Sequence, residues 1–134
     1  RIDHILRLRN LQDETGGFNA FIPLVYQTEN NYLKVKEALT GQEILKTYSI
    51  ARILLDNIPN IKAYWATSTV KLALIAQEFG ANDVDGTIEK EAIQSAAGAK
   101  SANGIAQSEF VELIKNSGFI PVERDSIYNE LKVW

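Results

Sequence analysis

The stretch DNIPNIKAYWA, residues 56–66, and the GANDVDGTIEKEAI of residues 80–93 decide the fold. Each holds a short apolar run with a polar tip, and each run is entered from a helix. Strands buried on both faces read as nearly continuous apolar segments, and in a parallel barrel their carboxyl ends carry the site. Ile61 to Ala66 is the clearer strand. A helix carrying Ala51, Leu54, Leu55 and Ile58 on one face precedes it, and Pro59 follows where a helix cannot continue. Thr67 or Ser68 is placed to cap the next helix, with Val70, Ala73 and Leu74 to Phe79, until Gly80 ends it. Ala81 to Val84 is the third strand.

Working outward, residues 1–14 place Ile2, Ile5, Leu6 and Leu8 to Leu11 at helical spacing among charged residues, and Gly16-Gly17 stops that helix. Phe18 to Tyr26 is aromatic and branched, as a first strand should be, with Pro23 limiting its ladder. Thr40-Gly41-Gln42-Glu43 has the spacing of a capping box. The small residues of SAAGAKSANG, 95–104, read as a loop. Ser108 opens a last helix with Phe110, Leu113 and Ile114 on its apolar stripe and Gly118 at its close, and residues 119–125 are extended. Strand, helix, strand repetition implies parallel pairing through right-handed crossovers. The fold class expected is α/β, either three parallel strands from a (β/α) barrel or a small open sheet. A complete eight-stranded barrel needs roughly 200 residues or more.

Composition restricts function. The chain has 134 residues, 46% apolar and 23% charged, enough to bury a core. A net charge of -3 with mixed signs offers no stripe for nucleic acid and no polybasic membrane patch. Apolar windows such as VKLALIA, 70–76, fall far short of the roughly 20 residues that span a bilayer. Without cysteine there is no disulfide and no thiolate metal site, which points weakly to the cytoplasm. DVDG at 83–86 has the look of a calcium loop, but Ala81 and Ala92 occupy its first and last ligand positions. His4 is the sole histidine and belongs to the first helix, so a histidine metal cluster is excluded. No GxSxG elbow is present.

Candidate site residues follow from strand polarity. Pro23 to Tyr26, Trp65 to Thr67 and Asp83 to Thr87 stand at strand carboxyl ends. Asp83 and Asp85 are two apart and share one face of a regular strand. A carboxylate there can accept from a ribose hydroxyl or an amino group; equally, Asp85-Gly86 is common turn chemistry. Thr87 adds a smaller hydrogen-bonding group. Trp65 can wall a pocket for an aromatic substrate or simply fill volume.

HILRLRNLQDETGGFNAFIPL (4–24), ARILLDNIPNIKAYW (51–65), GANDVDGT (80–87), AAGA (96–99) and GFIPVERDSIYN (118–129) together resemble one family. It is the radical S-adenosylmethionine enzymes of futalosine-route menaquinone biosynthesis, a branch that includes the deazaflavin-forming FO synthase subunits. KAYW and DVDGT look more like the aminofutalosine synthase members than the dehypoxanthine futalosine cyclases. The resemblance implies that residues 1–134 are the carboxyl-terminal portion of a TIM-type barrel domain. The CxxxCxxC motif holding the [4Fe-4S] cluster would lie earlier, and these residues alone would be inactive. In the intact parent, S-adenosylmethionine would yield a 5'-deoxyadenosyl radical that adds to the enol ether of 3-[(1-carboxyvinyl)oxy]benzoate. The resemblance also matches Glu91 and Lys71 to family residues, while Ser68-Thr69-Val70 and Thr28 depart from the proline-containing patterns common in relatives. Site candidates are therefore Tyr26, Trp65, Thr67, Asp83, Asp85, Thr87 and Glu91, with no metal ligand. A small molecule is the expected ligand. Open strand edges predict self-association or pairing with the missing half. The alternative from another class is a stand-alone α/β module that binds a ligand without redox chemistry.

Overall fold

A computed structural model describes residues 1–30, 32–33, 35, 37–86, 92–99 and 104–134. The described chain is α/β. Helix α1 (Ile2–Thr15) leads to β1 (Ala20–Phe21), α2 (Gly41–Leu54) to β2 (Asn60–Ala63), and α3 (Val70–Glu78) to β3 (Asp83–Val84). Then come α4 (Ile93–Ala96), α5 (Gln107–Asn116) and a hairpin of β4 (Val122–Arg124) and β5 (Glu130–Val133). The first three strands pair in parallel in the order β1-β2-β3, with Phe21 beside Ile61, and Lys62 beside Asp83. This is the arrangement of part of a (β/α) barrel wall, and among the described residues neither β1 nor β3 has a strand on its outer edge.

Helix ends follow local chemistry. Gly16 turns left-handed at φ 59° to end α1. The Thr40 hydroxyl accepts from the Glu43 amide and the Glu43 carboxylate accepts from the Thr40 amide, completing the expected capping box. Several boundaries differ from expectation. Helix α3 is capped by Thr69, whose hydroxyl accepts from the Leu72 amide, because Trp65 to Thr67 wind into one 3-10 turn instead of extending the strand. Helix α5 starts at Gln107, with the Phe110 amide bonded to the Ala106 carbonyl, so Ser108 lies inside its first turn. The strands are shorter than their apolar runs: β1 has two residues where Phe18 to Tyr26 were expected, since the ladder lapses at Ile22 ahead of Pro23.

The core lies between the sheet and its helices. On β2, Ile61 and Ala63 are fully buried and join Ala51 of α2, Leu55, Ala73 and Ala76 of α3 in one apolar cluster. Asn60 and Lys62 alternate to the other face. Helix α1 contributes a narrower stripe than its composition suggested: Ile5 is buried, whereas Ile2, Leu6 and Leu11 are exposed. Gln12 compensates, donating to the carbonyls of Phe18 and Asn57 and accepting from the Phe18 amide. At the amino ends of the strands, Arg52 of α2 donates to the Gly80 carbonyl and to Asn82 Oδ1, which also accepts from the Ile61 amide. Gly80 is at φ 103°, and a Cβ there would stand 2.6 Å from that of Arg52, so the pin requires glycine.

Candidate functional site

The ladder puts Lys62 beside Asp83, and the strand period of two puts Asp83 and Asp85 on one side of β3. Lys62 Nζ lies 2.9 Å from Asp85 and 3.8 Å from Asp83, so one ammonium addresses both carboxylates. The expected sharing of a face therefore holds. Asp83 is further engaged from the far end of the chain. The Arg124 guanidinium donates through Nε and Nη2 to its two carboxylate oxygens at 3.1 and 2.7 Å. The Tyr128 hydroxyl donates to the second oxygen at 2.8 Å, and the Arg124 plane lies 3.9 Å over the Tyr128 ring. A planar fork matches a carboxylate in this bidentate way, and the stacked ring adds a cation–π contact.

These contacts shift protonation in ways their chemistry explains. Hydrogen bonding to Asp83 holds the Arg124 guanidinium above its ordinary value. Partial burial, then the hydrogen bond to the Asp83 anion, pushes the Tyr128 phenol up to about 12. Around Lys62, Asp83, Asp85 and Arg124 lies a cavity of about 570 Å³, with Leu74 and Phe119 among its apolar walls.

Trp65, Thr67 and Tyr26 are not among the residues that line this cavity. Trp65 is fully buried, and its indole N–H donates to the carbonyls of Asp85 and Gly86 at 3.2 and 3.3 Å, tying the end of β2 to the end of β3. Thr67 is buried; its hydroxyl donates to the Tyr64 carbonyl and accepts from the Val25 amide, and its carbonyl accepts from Gln27. Tyr26 lies between those two partners in the chain and is 40% exposed. Thr87 and Glu91 lie outside the described residues.

Three participants escaped the sequence reading: Lys62, Arg124 and Tyr128. A lysine between Ile61 and Ala63 in a buried strand was the signal for the first. Arg124 and Tyr128 stand 41 and 45 residues from Asp83, and no periodicity joins them.

The residues present do not fit an iron–sulfur cluster. No cysteine occurs, and the described residues contain no group of three or more histidine, aspartate or glutamate side chains placed to hold a metal ion. Among them, too, no helix is long and apolar enough to cross a membrane.

Aminodeoxyfutalosine synthase from Thermus thermophilus is 47% identical over 138 residues, covering 100% of this chain and 37% of that protein. Cyclic dehypoxanthine futalosine synthase from Streptomyces coelicolor is 38% identical, over 99% of this chain and 33% of its own length. The 5-amino-6-(D-ribitylamino)uracil--L-tyrosine 4-hydroxyphenyl transferase of Methanococcoides burtonii is 41% identical, over 98% of this chain and 39% of its own. The chain thus spans little more than a third of the curated relatives it matches. The family model described as CofH/MqnC C-terminal region matches residues 15–133, from the end of α1 through β5, and the chain belongs to that family.

Proposed function

We propose that this chain forms the carboxyl-terminal wall of a radical S-adenosylmethionine barrel acting in futalosine-route menaquinone biosynthesis, and that the parent protein is an aminodeoxyfutalosine synthase. The supporting observation is that likeness to such a synthase runs through the whole chain, including every strand end described above. The cluster belongs to another part of the polypeptide, because thiolate ligands are lacking here. S-adenosylmethionine supplies the 5'-deoxyadenosyl group for transfer to a small acidic acceptor, 3-[(1-carboxyvinyl)oxy]benzoate.

This chain's residues bind and orient. Asp85, half-buried and paired on one oxygen with Lys62, offers its remaining acceptor capacity to hydroxyl or amino donors of a nucleoside. Lys62 offers charge to an anionic group. Asp83 faces Arg124 and Tyr128 and serves placement more than contact. Tyr26, Trp65, Thr67, Thr87 and Glu91 are the further candidates for contact with the substrate or S-adenosylmethionine. The protein is expected to work in the cytoplasm.

The test uses the full-length, cluster-loaded protein with S-adenosylmethionine and the enol-ether benzoate, with mass spectrometry of the products. An adenosylated adduct supports the reading. Cyclisation of dehypoxanthine futalosine instead would assign the cyclase reaction, which the Streptomyces relative favours by name. No turnover of either would leave two readings, an FO synthase subunit, which the Methanococcoides relative favours by name, and the ligand-binding module, and assay with 5-amino-6-(D-ribitylamino)uracil and tyrosine separates them. The same proposal predicts that the 134-residue chain alone self-associates or captures the rest of its barrel through the open β1 and β3 edges. A stable, partnerless monomer in sedimentation would count against it.

A further inference from the structure

The loop between β4 and β5 is built with more care than a connecting turn needs. Asp125 accepts through one carboxylate oxygen from the amides of Ile127 and Asn129, and through the other from the Asn129 side chain. Arg124 donates to the Asp125 carbonyl, and a register shift separates Glu123 from Arg124. Within this frame Tyr128 has φ 70°, a conformation an aromatic residue adopts only when its surroundings impose it. The outcome of that arrangement is the contact with Asp83, where the Tyr128 hydroxyl and both Arg124 nitrogens converge on one carboxylate.

We propose that the 124–129 turn is a positioning clamp: Arg124 and Tyr128 occupy Asp83, and thereby commit Lys62 to Asp85 at the cavity. The reasoning is one of acceptor capacity. A carboxylate has about four acceptor sites, and three are taken by the turn. Lys62 accordingly sits 3.8 Å from Asp83 and 2.9 Å from Asp85. Were the turn absent, Asp83 and Asp85 would compete for one ammonium, and β3 would lose the hydrogen bonds it accepts from Arg124 and Tyr128. Arg124 and Tyr128 are thus positioning residues, and the ligand-facing pair is Lys62 and Asp85. The assignment of a ligand to that pair rests on the function proposed above; the clamp itself does not.

The experiment separates the two. In the full-length protein, amide hydrogen exchange is compared for Tyr128→Phe, Arg124→Lys and a control, Lys132→Gln, whose ammonium lies over Trp134 and not at Asp83. Loss of one hydrogen bond to a charged group predicts roughly 10-fold faster exchange at residues 83–86 in Tyr128→Phe, with α2 and β2 unchanged. Arg124→Lys keeps the charge but not the fork, and should behave like or worse than Tyr128→Phe; Lys132→Gln should leave 83–86 at the wild-type rate. A rise spread evenly over the sheet, or none at 83–86, overturns the clamp. Should Arg124→Lys fail to fold, Tyr128→Phe removes a single hydroxyl and still decides the matter. Where turnover is measurable, Tyr128→Phe should raise KM several-fold and leave kcat within about 2-fold, a split that general destabilisation does not produce. The exchange pattern without turnover on any futalosine precursor would keep the clamp and reject the function.

Discussion

The two faces of the three-stranded sheet are built from opposite materials. Toward the helices, Ile61, Ala63 and Trp65 have no exposed surface and belong to one apolar cluster, with the indole N–H of Trp65 satisfied. On the other side of the same strands Lys62, Asp83 and Asp85 form a charged array that depends on a hairpin for part of its neutralisation. Apolar burial is non-directional and tolerates approximate fit, while a desolvated charge network requires every partner. The first face holds the fold and the second specifies where groups stand, which is the division of labour expected when one side of a sheet is core and the other faces a ligand.

The helix-side face is broken most severely by Trp65→Ala. Removing a fully buried indole from the centre of the cluster costs about 3–5 kcal/mol, and it also releases the carbonyls of Asp85 and Gly86. Chemical denaturation should show that loss as a lower midpoint with little change in slope. A cost below about 1 kcal/mol would mean that the helix-side core repacks freely and the contrast between faces is overstated.

Asp83→Asn attacks the other face with almost no change in volume. Arg124 keeps an acceptor but loses its counter-ion, and Lys62 keeps Asp85. The Asp83 side chain is 9% exposed but Arg124 is 23% exposed, so the penalty falls below that of a fully buried pair, to about 2 kcal/mol. The same substitution should accelerate proteolysis of the 119–134 segment before the rest of the chain is cut.

How much of this was legible beforehand follows the same division. Local rules found Gly16 as a helix stop, the Thr40 and Glu43 capping box, and the order of three helices and parallel strands, because each depends on residues within a few positions of one another. The DVD spacing likewise revealed that Asp83 and Asp85 share a side. Strand length was misread at Phe18 to Tyr26 and at Ile61 to Ala66, where apolar content continued after the ladder had ended. Composition records burial, and Trp65 is buried in a 3-10 turn as completely as it would be in a strand. Tyr128 was invisible as a partner for Asp83 since its placement arises from a left-handed backbone angle in a turn held by Asp125.

Each face also carries a tyrosine that reports on it in alkali. Burial, opposed by a hydrogen bond to the Tyr64 backbone and aided by the charge of Asp85, pushes Tyr48 of α2 up to about 12, and Tyr128 stands at about 12 on the charged side. Both values exceed the ordinary 10.0, so the unfolded chain ionises first. The stabilisation is complete below pH 10 and is lost as pH climbs from 10 toward about 12. Melting temperature against pH should therefore fall over that window. Tyr48→Phe, on the more deeply buried side, should flatten the fall more than Tyr128→Phe; the reverse order would place the tighter environment on the charged face.

The smallest effect calibrates the others. Thr40→Ala removes the hydroxyl that accepts from the Glu43 amide and leaves the Glu43 carboxylate with only the Thr40 amide to hold. Caps of this kind are worth about 1 kcal/mol. Thr40 is exposed and stands at the start of α2, the helix that presents Tyr48, Ala51 and Arg52 to the sheet. Its loss should lower the melting temperature by a few degrees while hydrogen exchange at residues 83–86 and the alkaline profile of Tyr128 stay as in the wild type. Fraying one outer helix end then weakens the apolar face alone. If exchange at 83–86 rose in step with the lost stability, the two faces would be one cooperative unit, and the clamp at Asp83 would have no independent action to test.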